Sequence, residues 1–327
     1  MLFLQTEKYG TDPKMGDYAA ILRNTISSYL DASPDWEELK PNGKGIVTAA
    51  YDREFPSTYV LLKELKRLDI GLPVEVFYKQ NELSPIQVAL LNSVDPKFKL
   101  RLLSDPVSGF ATKPFNIFRS SFNEVLWLDA DNYPIRNPEY LFLDQEYVAK
   151  GSLFWRDICH DLVKDGAWQA FDVPKNDSEE FESGQLLINK QRCWVELLVT
   201  LFYNQNSAYF YQYLDGDKNT FRFAWQWVHH RLKGAIYYNR FYHARSNELV
   251  PYGFMPYGPV SLGEPNEFGV AGGATVLQHR DREGEPIFNH RNLCKLRLDF
   301  PNSVQRHVLN ENFYHDHIAE LKALLSA

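Results

Sequence analysis

Two carboxylates one residue apart, Asp129 and Asp131, follow the apolar run Val125–Leu128 in VLWLDADNYPIRNPEYLF, residues 125–142. Like charges at the rim of a core cost stability unless something neutralises them. A strand ending in D-x-D can turn both carboxylates toward one ion while the residue between them faces away. Mg²⁺ and Mn²⁺ take such oxygen ligands, often one or two carboxylates completed by phosphate oxygens. Taken alone, D-x-D favours an acidic strand-to-loop turn with solvated side chains, because short motifs recur by chance.

A parallel sheet is what must position the pair. GIVTAAYD (45–52), LPVEVFYK (72–79), FKLRLL (98–103) and VLWL (125–128) predict four strands. Between them the pattern predicts a helix capped by Ser57, with Tyr59, Leu61, Leu62, Leu65 and Leu68 as its apolar stripe. A second helix opens at Ser84-Pro85 and runs through about Asn92, and a third covers TKPFNIFRSS, 112–121. Such alternation implies a parallel sheet with helices on both faces, and ligands bind outside the carboxyl ends of such strands. In the second half, LFWRD (153–157) and GQLLINK (184–190) read as strands, 194–211 as a helix, and 215–232 as a capping-type loop that becomes a helix. GATVLQHRD (273–281) and PIFNHRNLCK (286–295) close the core, 1–40 reads as mainly helical, and 311–326 as an amphipathic helix. One compact α/β unit over 1–327 is expected, with a nucleotide-binding half at about 45–145 and a donor-sugar and acceptor half at about 146–300.

The formal charge is −7, which argues against a general nucleic-acid binder because that needs a basic face to displace counterions. Aromatic residues make up 15%, and these line sugar and nucleotide sites as well as cores. Cys159, Cys193 and Cys294 are odd in number and have no CxxC spacing, so neither a disulfide framework nor a zinc site is expected of them. MLFLQTEKYGTD carries no basic n-region and no h-region, and no run is long enough to span a bilayer.

LWLDADNYPIRNPEYLF resembles the metal-site segment of the fungal α-mannosyltransferases, Golgi enzymes that add mannose branches to cell-wall mannan. EFESGQLLINK (180–190), DGDKNTFRFAW (215–225) and VLQHRDREGEPIFNHRNLCK (276–295) resemble further pieces of that family in the same order, as does the lead-in FATKPFNIFRSSFNEVLWLD. The resemblance covers roughly residues 45–300. It implies a GT-A type, Rossmann-like nucleotide-sugar fold, retaining transfer of an α-linked sugar, GDP-mannose as donor and Mn²⁺ (or Mg²⁺) as metal. The family's amino-terminal anchor is not read here. The expected location is therefore cytoplasmic, or the Golgi lumen if an anchor was removed, with membrane contact at most peripheral.

The resemblance implies a metal site of Asp129, Asp131 and a late histidine, His290, with His279 as the competing ligand. Asp131 is the first choice for direct metal contact, and Asp129 is assigned to metal or donor ribose. Lys295 is placed to touch the diphosphate, and Lys113 to touch a phosphate or the first aspartate. Ala49, Tyr51 and Arg53 follow the first strand, where such folds hold base and ribose. Gly184 would let a sugar approach the backbone closely, and Glu182 or Gln185 would face the anomeric carbon. In DGDK, one aspartate can cap a helix; Asp215, Asp217 and Lys218 together point instead to donor contacts, Asp217 to the sugar hydroxyls.

Transfer from a nucleoside diphosphate needs positive charge at the leaving group and negative or dipolar groups near an oxocarbenium-like carbon. A front-face route needs no protein nucleophile; a covalent route would use Glu182 or Asp217. Competing functions are transfer from another nucleotide sugar such as a UDP-sugar, an aspartyl phosphohydrolase and a non-catalytic sugar-binding protein. The hydrolase wants Thr or Val soon after its D-x-D, whereas Asn132-Tyr133-Pro134 follows here. The partners expected are the donor and a glycan acceptor, with no nucleic acid.

Overall fold

Alternate side chains of VLWL face opposite ways, and two cores form on them. A computed structural model describes residues 15–158, 163–176, 180–232, 252–262, 276–292, 295, 296, 298 and 312–326. Cys159, Cys294, the first 14 residues and the start of GATVLQHRD lie outside the described residues.

Seven strands make the central sheet: β1 (Lys44–Ala49), β2 (Val74–Tyr78), β3 (Phe98–Leu102), β4 (Glu124–Leu128), β6 (Ser152–Arg156), β7 (Phe181–Asn189) and β8 (Gly253–Phe254). Their order is β3-β2-β1-β4-β7-β6-β8. β3, β2, β1 and β4 pair in parallel, β7 runs against β4 and β6, and β8 pairs in parallel with β6. This mostly parallel α/β sheet, with β7 reversed and helices on both faces, is the layered architecture expected.

On one face Val47, Val125, Trp127, Phe154, Leu186 and Ile188 pack with α1 (Met15–Asp31), α4 (Thr112–Arg119), α5 (Trp194–Gln205) and α6 (Lys218–Trp227). On the other Ile46, Val76, Leu126, Leu128, Leu153 and Leu187 pack with α2 (Phe55–Arg67), α3 (Pro85–Val94) and α7 (Asn312–Ser326). Burying each large apolar side chain contributes roughly 1.5–3 kcal/mol, so a strand buried on both sides is strongly fixed in register. β4 is such a strand, and it delivers the Asp129–Asp131 turn to a fixed place.

A second, antiparallel sheet sits at that turn, in the order β5-β11-β10-β9. β5 (Asn132–Pro134) follows the aspartates directly; β9 (Val260–Leu262), β10 (Val276–Arg280) and β11 (Pro286–His290) come from the far end of the chain. His290 lies opposite Asn132, and the Arg291 N–H donates to the Asp131 carbonyl at 2.8 Å.

Some helix boundaries differ from those expected. α2 begins at Phe55, not after Ser57, because Pro56 suits the first helical turn; the Ser57 hydroxyl instead donates to the Leu296 carbonyl at 3.3 Å. Ser84 does cap α3, through a capping box with Gln87. The expected helix over 194–211 stops at Gln205, where the Asn206 amide caps the Phe202 carbonyl at 2.8 Å. α6 starts at Lys218 and ends in a π turn over Val228–Leu232. Among the described residues no helix is long and apolar enough to cross a membrane.

Lys190, just past β7, is fully buried, its Nζ within hydrogen-bond reach of the carbonyls of Phe118 and Ser120 and of the Ser120 hydroxyl. Burial pushes it down to about 7. Between that value and the ordinary lysine value near 10.4, the unfolded chain binds the extra proton, so this site makes stability rise with pH. Denaturant melts of wild type and Lys190→Met at pH 6 and pH 9 should show wild type gaining on the variant at the higher pH. An unchanged difference contradicts a neutral lysine at this position.

Candidate active site

β4 ends at Leu128, and the chain turns at once: the Asp129 N–H donates to the Gly184 carbonyl at 2.8 Å, and the Asn132 N–H to the Asp129 carbonyl at 2.9 Å. The Trp127 indole donates to Asp129 Oδ1 at 2.7 Å and fixes that carboxylate. Asp129 keeps part of its surface exposed, whereas Asp131 is buried. His290 Nε2 stands 3.4 Å from Asp131 Oδ1. One ligand atom from each of Asp129, Asp131 and His290 fits within 4.8 Å of the others. Two carboxylates, one imidazole and an open side toward Asp129 suit a divalent cation that also takes phosphate oxygens.

The chain's own cations crowd the same two aspartates. Lys295 Nζ lies 2.5 Å from Asp131 Oδ2 and 3.9 Å from Glu54 Oε2. Burial alone would raise the Asp131 carboxyl, but His290 and Lys295 outweigh it and hold the group well below the usual carboxylate range. Burial also opposes charge on His290, yet Glu182 and Asp131 lift the ring to about 9. Lys113 Nζ reaches Asp129 Oδ1 at 3.0 Å, Asp217 Oδ2 at 3.3 Å and the Ser183 hydroxyl at 2.9 Å. Burial costs that ammonium, but Asp129 and Asp217 keep it charged and raise it above the ordinary lysine value.

Lys113 is therefore the clamp between the D-x-D turn and the DGDK loop. Of its two expected contacts, the structure shows the one to the first aspartate. Asp217 stands at the N-terminus of α6 without capping it. Burial lifts its carboxyl to about 6, against the pull of Lys113. Lys218 is held by Asp157 Oδ2 at 2.5 Å and Glu180 Oε1 at 3.5 Å, and Glu180 in turn pairs with buried Arg222 at 2.6 Å.

Gly184, where a close sugar approach is expected, lies against the His290 ring. A Cβ there would lie 2.6 Å from His290 Cε1 and Nδ1, so the missing side chain makes room for the imidazole. Glu182 Oε1 accepts from the Ser183 and Gly184 N–H groups at 2.8 Å and faces His290 Nδ1 at 3.7 Å. Burial would raise Glu182, but His290 above all holds it at about 2. Gln185 is buried on the neighbouring position of β7, where its Oε1 accepts from Asn132 at 2.5 Å.

The structure does not bring every expected residue into this cluster. Asp215 is exposed and pairs with Lys164 at 3.0 Å, away from Lys113 and Asp129. Gly216, at φ +111°, lets the chain turn between Asp215 and Asp217. Arg53 points into solvent beside Glu54, 3.8 Å away. Ala49 is buried, and its carbonyl accepts from Thr58 at 3.3 Å. Tyr51 does border the cluster: burial first, then the charge of Asp129, raise its hydroxyl well above the ordinary tyrosine value. His279 is buried near Glu182 and His290, and burial pushes it down to about 3.

Sequence reasoning missed Asp157, Glu180, Glu54 and the Trp127 indole. Asp157 had a signal, since LFWRD is a second strand running into an aspartate. Glu54 had none, because its approach to Lys295 depends on a contact spanning most of the chain.

Comparison with known proteins gives the family. The chain matches Mannosyl_trans3, a family of mannosyltransferases, over residues 43–181 and 172–238, more than half its length, and it belongs to that family. It is 28% identical over 235 residues to the α-1,2-mannosyltransferase MNN2 of Saccharomyces cerevisiae, covering 55% of this chain and 39% of the relative. It is 27% identical over 227 residues to the α-1,2-mannosyltransferase MNN24 of Candida albicans, covering 55% and 32%. The chain thus spans well under half the length of these relatives. Among solved structures it resembles the bifunctional glycosyltransferase WbbM, with a TM-score of 0.42, 16% identity and coverage of 55% of this chain and 37% of that one. It also resembles the galactosyltransferase LgtC, with a TM-score of 0.41, 14% identity and coverage of 71% and 92%.

Proposed function

We propose that this chain is a metal-dependent, retaining α-mannosyltransferase that moves mannose from GDP-mannose to a glycan hydroxyl, working as one compact domain. The observation that carries the reading is the convergence of Asp129 and Asp131, from the end of β4, with His290, from the end of β11. These residues would hold Mn²⁺ or Mg²⁺. Bound there, the cation would neutralise charge gathering on the leaving diphosphate.

Lys295 would give up part of its contact with Asp131 to the diphosphate, as a mobile point charge. Lys113, with Asp129, Asp217 and Ser183 already on it, would hold the two acidic loops in register. Asp217 would face the donor sugar from the start of α6. Glu182 is engaged by two backbone amides and Asp217 by Lys113. Both are committed, which favours a front-face route in which the departing phosphate deprotonates the acceptor hydroxyl.

The test is direct. The chain is incubated with GDP-mannose, Mn²⁺ and a mannoside acceptor, and release of GDP is followed. GDP release that stops on chelation is the expected result. Release of UDP from UDP-sugars instead moves the donor assignment, and no binding or turnover of any nucleotide sugar with any metal overturns the reading.

A further inference from the structure

Two imidazole nitrogens in the buried floor of the site have no hydrogen-bond partner, His279 Nε2 and His290 Nδ1. The residues are 1% and 3% exposed. Buried polar atoms are rarely left unmet, and each such atom calls for an explanation. Glu182 supplies a carboxylate beside them: its Oε1 is 3.7 Å from His290 Nδ1, and one ligand atom from each of Glu182, His279 and His290 lies within 4.8 Å of the others.

The scaffold behind this trio is rigid. β10 and β11 pair antiparallel, with Leu277 opposite His290 and His279 opposite Phe288. His279 and His290 are thus diagonal neighbours on one face of the hairpin. β7 brings Glu182 to them, and its Oε1 is held in place by two backbone N–H groups. Two imidazoles and one carboxylate form a donor set that zinc takes when a fourth position stays open. Imidazole-rich sets suit zinc, whereas oxygen-rich sets suit Mg²⁺ and Mn²⁺.

We propose that Glu182, His279 and His290 form a second, nitrogen-rich metal site that takes zinc, beside the oxygen-rich set of Asp129, Asp131 and His290. The two sets share one ring. His290 turns Nε2 toward Asp131 at 3.4 Å and Nδ1 toward Glu182. Binding a metal takes one proton from the ring, and the neutral imidazole that results has one lone pair, its other nitrogen keeping its proton. His290 therefore serves one ion at a time, and zinc on the inner set withdraws it from the outer one. The zinc site stands on these residues alone; its antagonism to Mn²⁺ rests on the metal reading proposed above.

Crystals of the wild-type chain grown with zinc, with anomalous differences collected at the zinc edge, test the site. A peak bonded to His279, His290 and Glu182 is expected. In calorimetry, His279→Gln removes a direct ligand and should weaken zinc binding by more than about 100-fold, beyond what changes in the groups that merely orient ligands cost. Its Mn²⁺ affinity, read from the free-ion electron-spin signal, should persist. In wild type, zinc should displace bound Mn²⁺. A zinc peak on Asp129 and Asp131, no peak, or equal zinc affinity in His279→Gln overturns the site. Zinc on the inner set of a protein that takes up no Mn²⁺ upholds the site and overturns the metal reading instead.

Discussion

Asp131→Asn will lower donor turnover about a thousandfold, the scale of losing one preorganised charge stabiliser, and will remove the Mn²⁺ dependence of donor binding. The substitution keeps the shape of the side chain and one acceptor oxygen but deletes the charge. Asp131 is the buried member of the pair, and His290 and Lys295 both converge on it. Without its charge, those two cations face each other in a buried space with one counter-charge fewer, a costly arrangement. Some loss of stability is therefore expected alongside the loss of metal. The two are separated by measuring Mn²⁺ affinity below the melting range of the variant. Mn²⁺-dependent turnover near the wild-type level in Asp131→Asn would remove this residue from the metal site.

Gly184→Ala is the second large effect, and it comes from a single methyl group. That carbon would stand 2.6 Å from two atoms of the His290 ring, closer than nonbonded carbons approach. Either the ring moves or β7 does. β7 is fixed by its pairing with β4 across Leu128 and Gln185, so the ring is the part that gives. Overpacking of this kind costs typically 1–3 kcal/mol. A displaced His290 loses its line to Asp131, so Mn²⁺ affinity and turnover should both fall by at least about tenfold. A variant that binds Mn²⁺ like wild type would show that the imidazole is not a ligand. The same glycine would otherwise be read as a place where a sugar approaches the backbone.

What could be read in the sequence depended on how local the controlling interactions are. β4 and the aspartates were legible because an apolar run and the carboxylates that end it are contiguous. The first four strands and the helices between them were legible from the same kind of short-range periodicity. His290 was reached only through the likeness of PIFNHRNLCK to a known family, because its place depends on β5 pairing with β11, which are far apart in the sequence. Asp215 and Asp217 look equivalent as text, yet Gly216 turns the chain between them and leaves one in solvent and the other on Lys113. Lys113 could be named but not given its three-way contact, since Asp129, Asp217 and Ser183 come from three separate segments. Ser57 misled because a hydroxyl near a helix start suits a cap, while Pro56 one residue earlier already marked the first turn.

The most direct measurement is a crystal structure of the wild-type chain with Mn²⁺ and GDP, with anomalous differences at the manganese edge. One peak is expected, bonded to Asp131 and His290, near Asp129, and touching both phosphates of the nucleotide. Bound GDP with no manganese peak, or with manganese held away from these three side chains, would contradict the central claim that a divalent cation neutralises the aspartates at the end of β4.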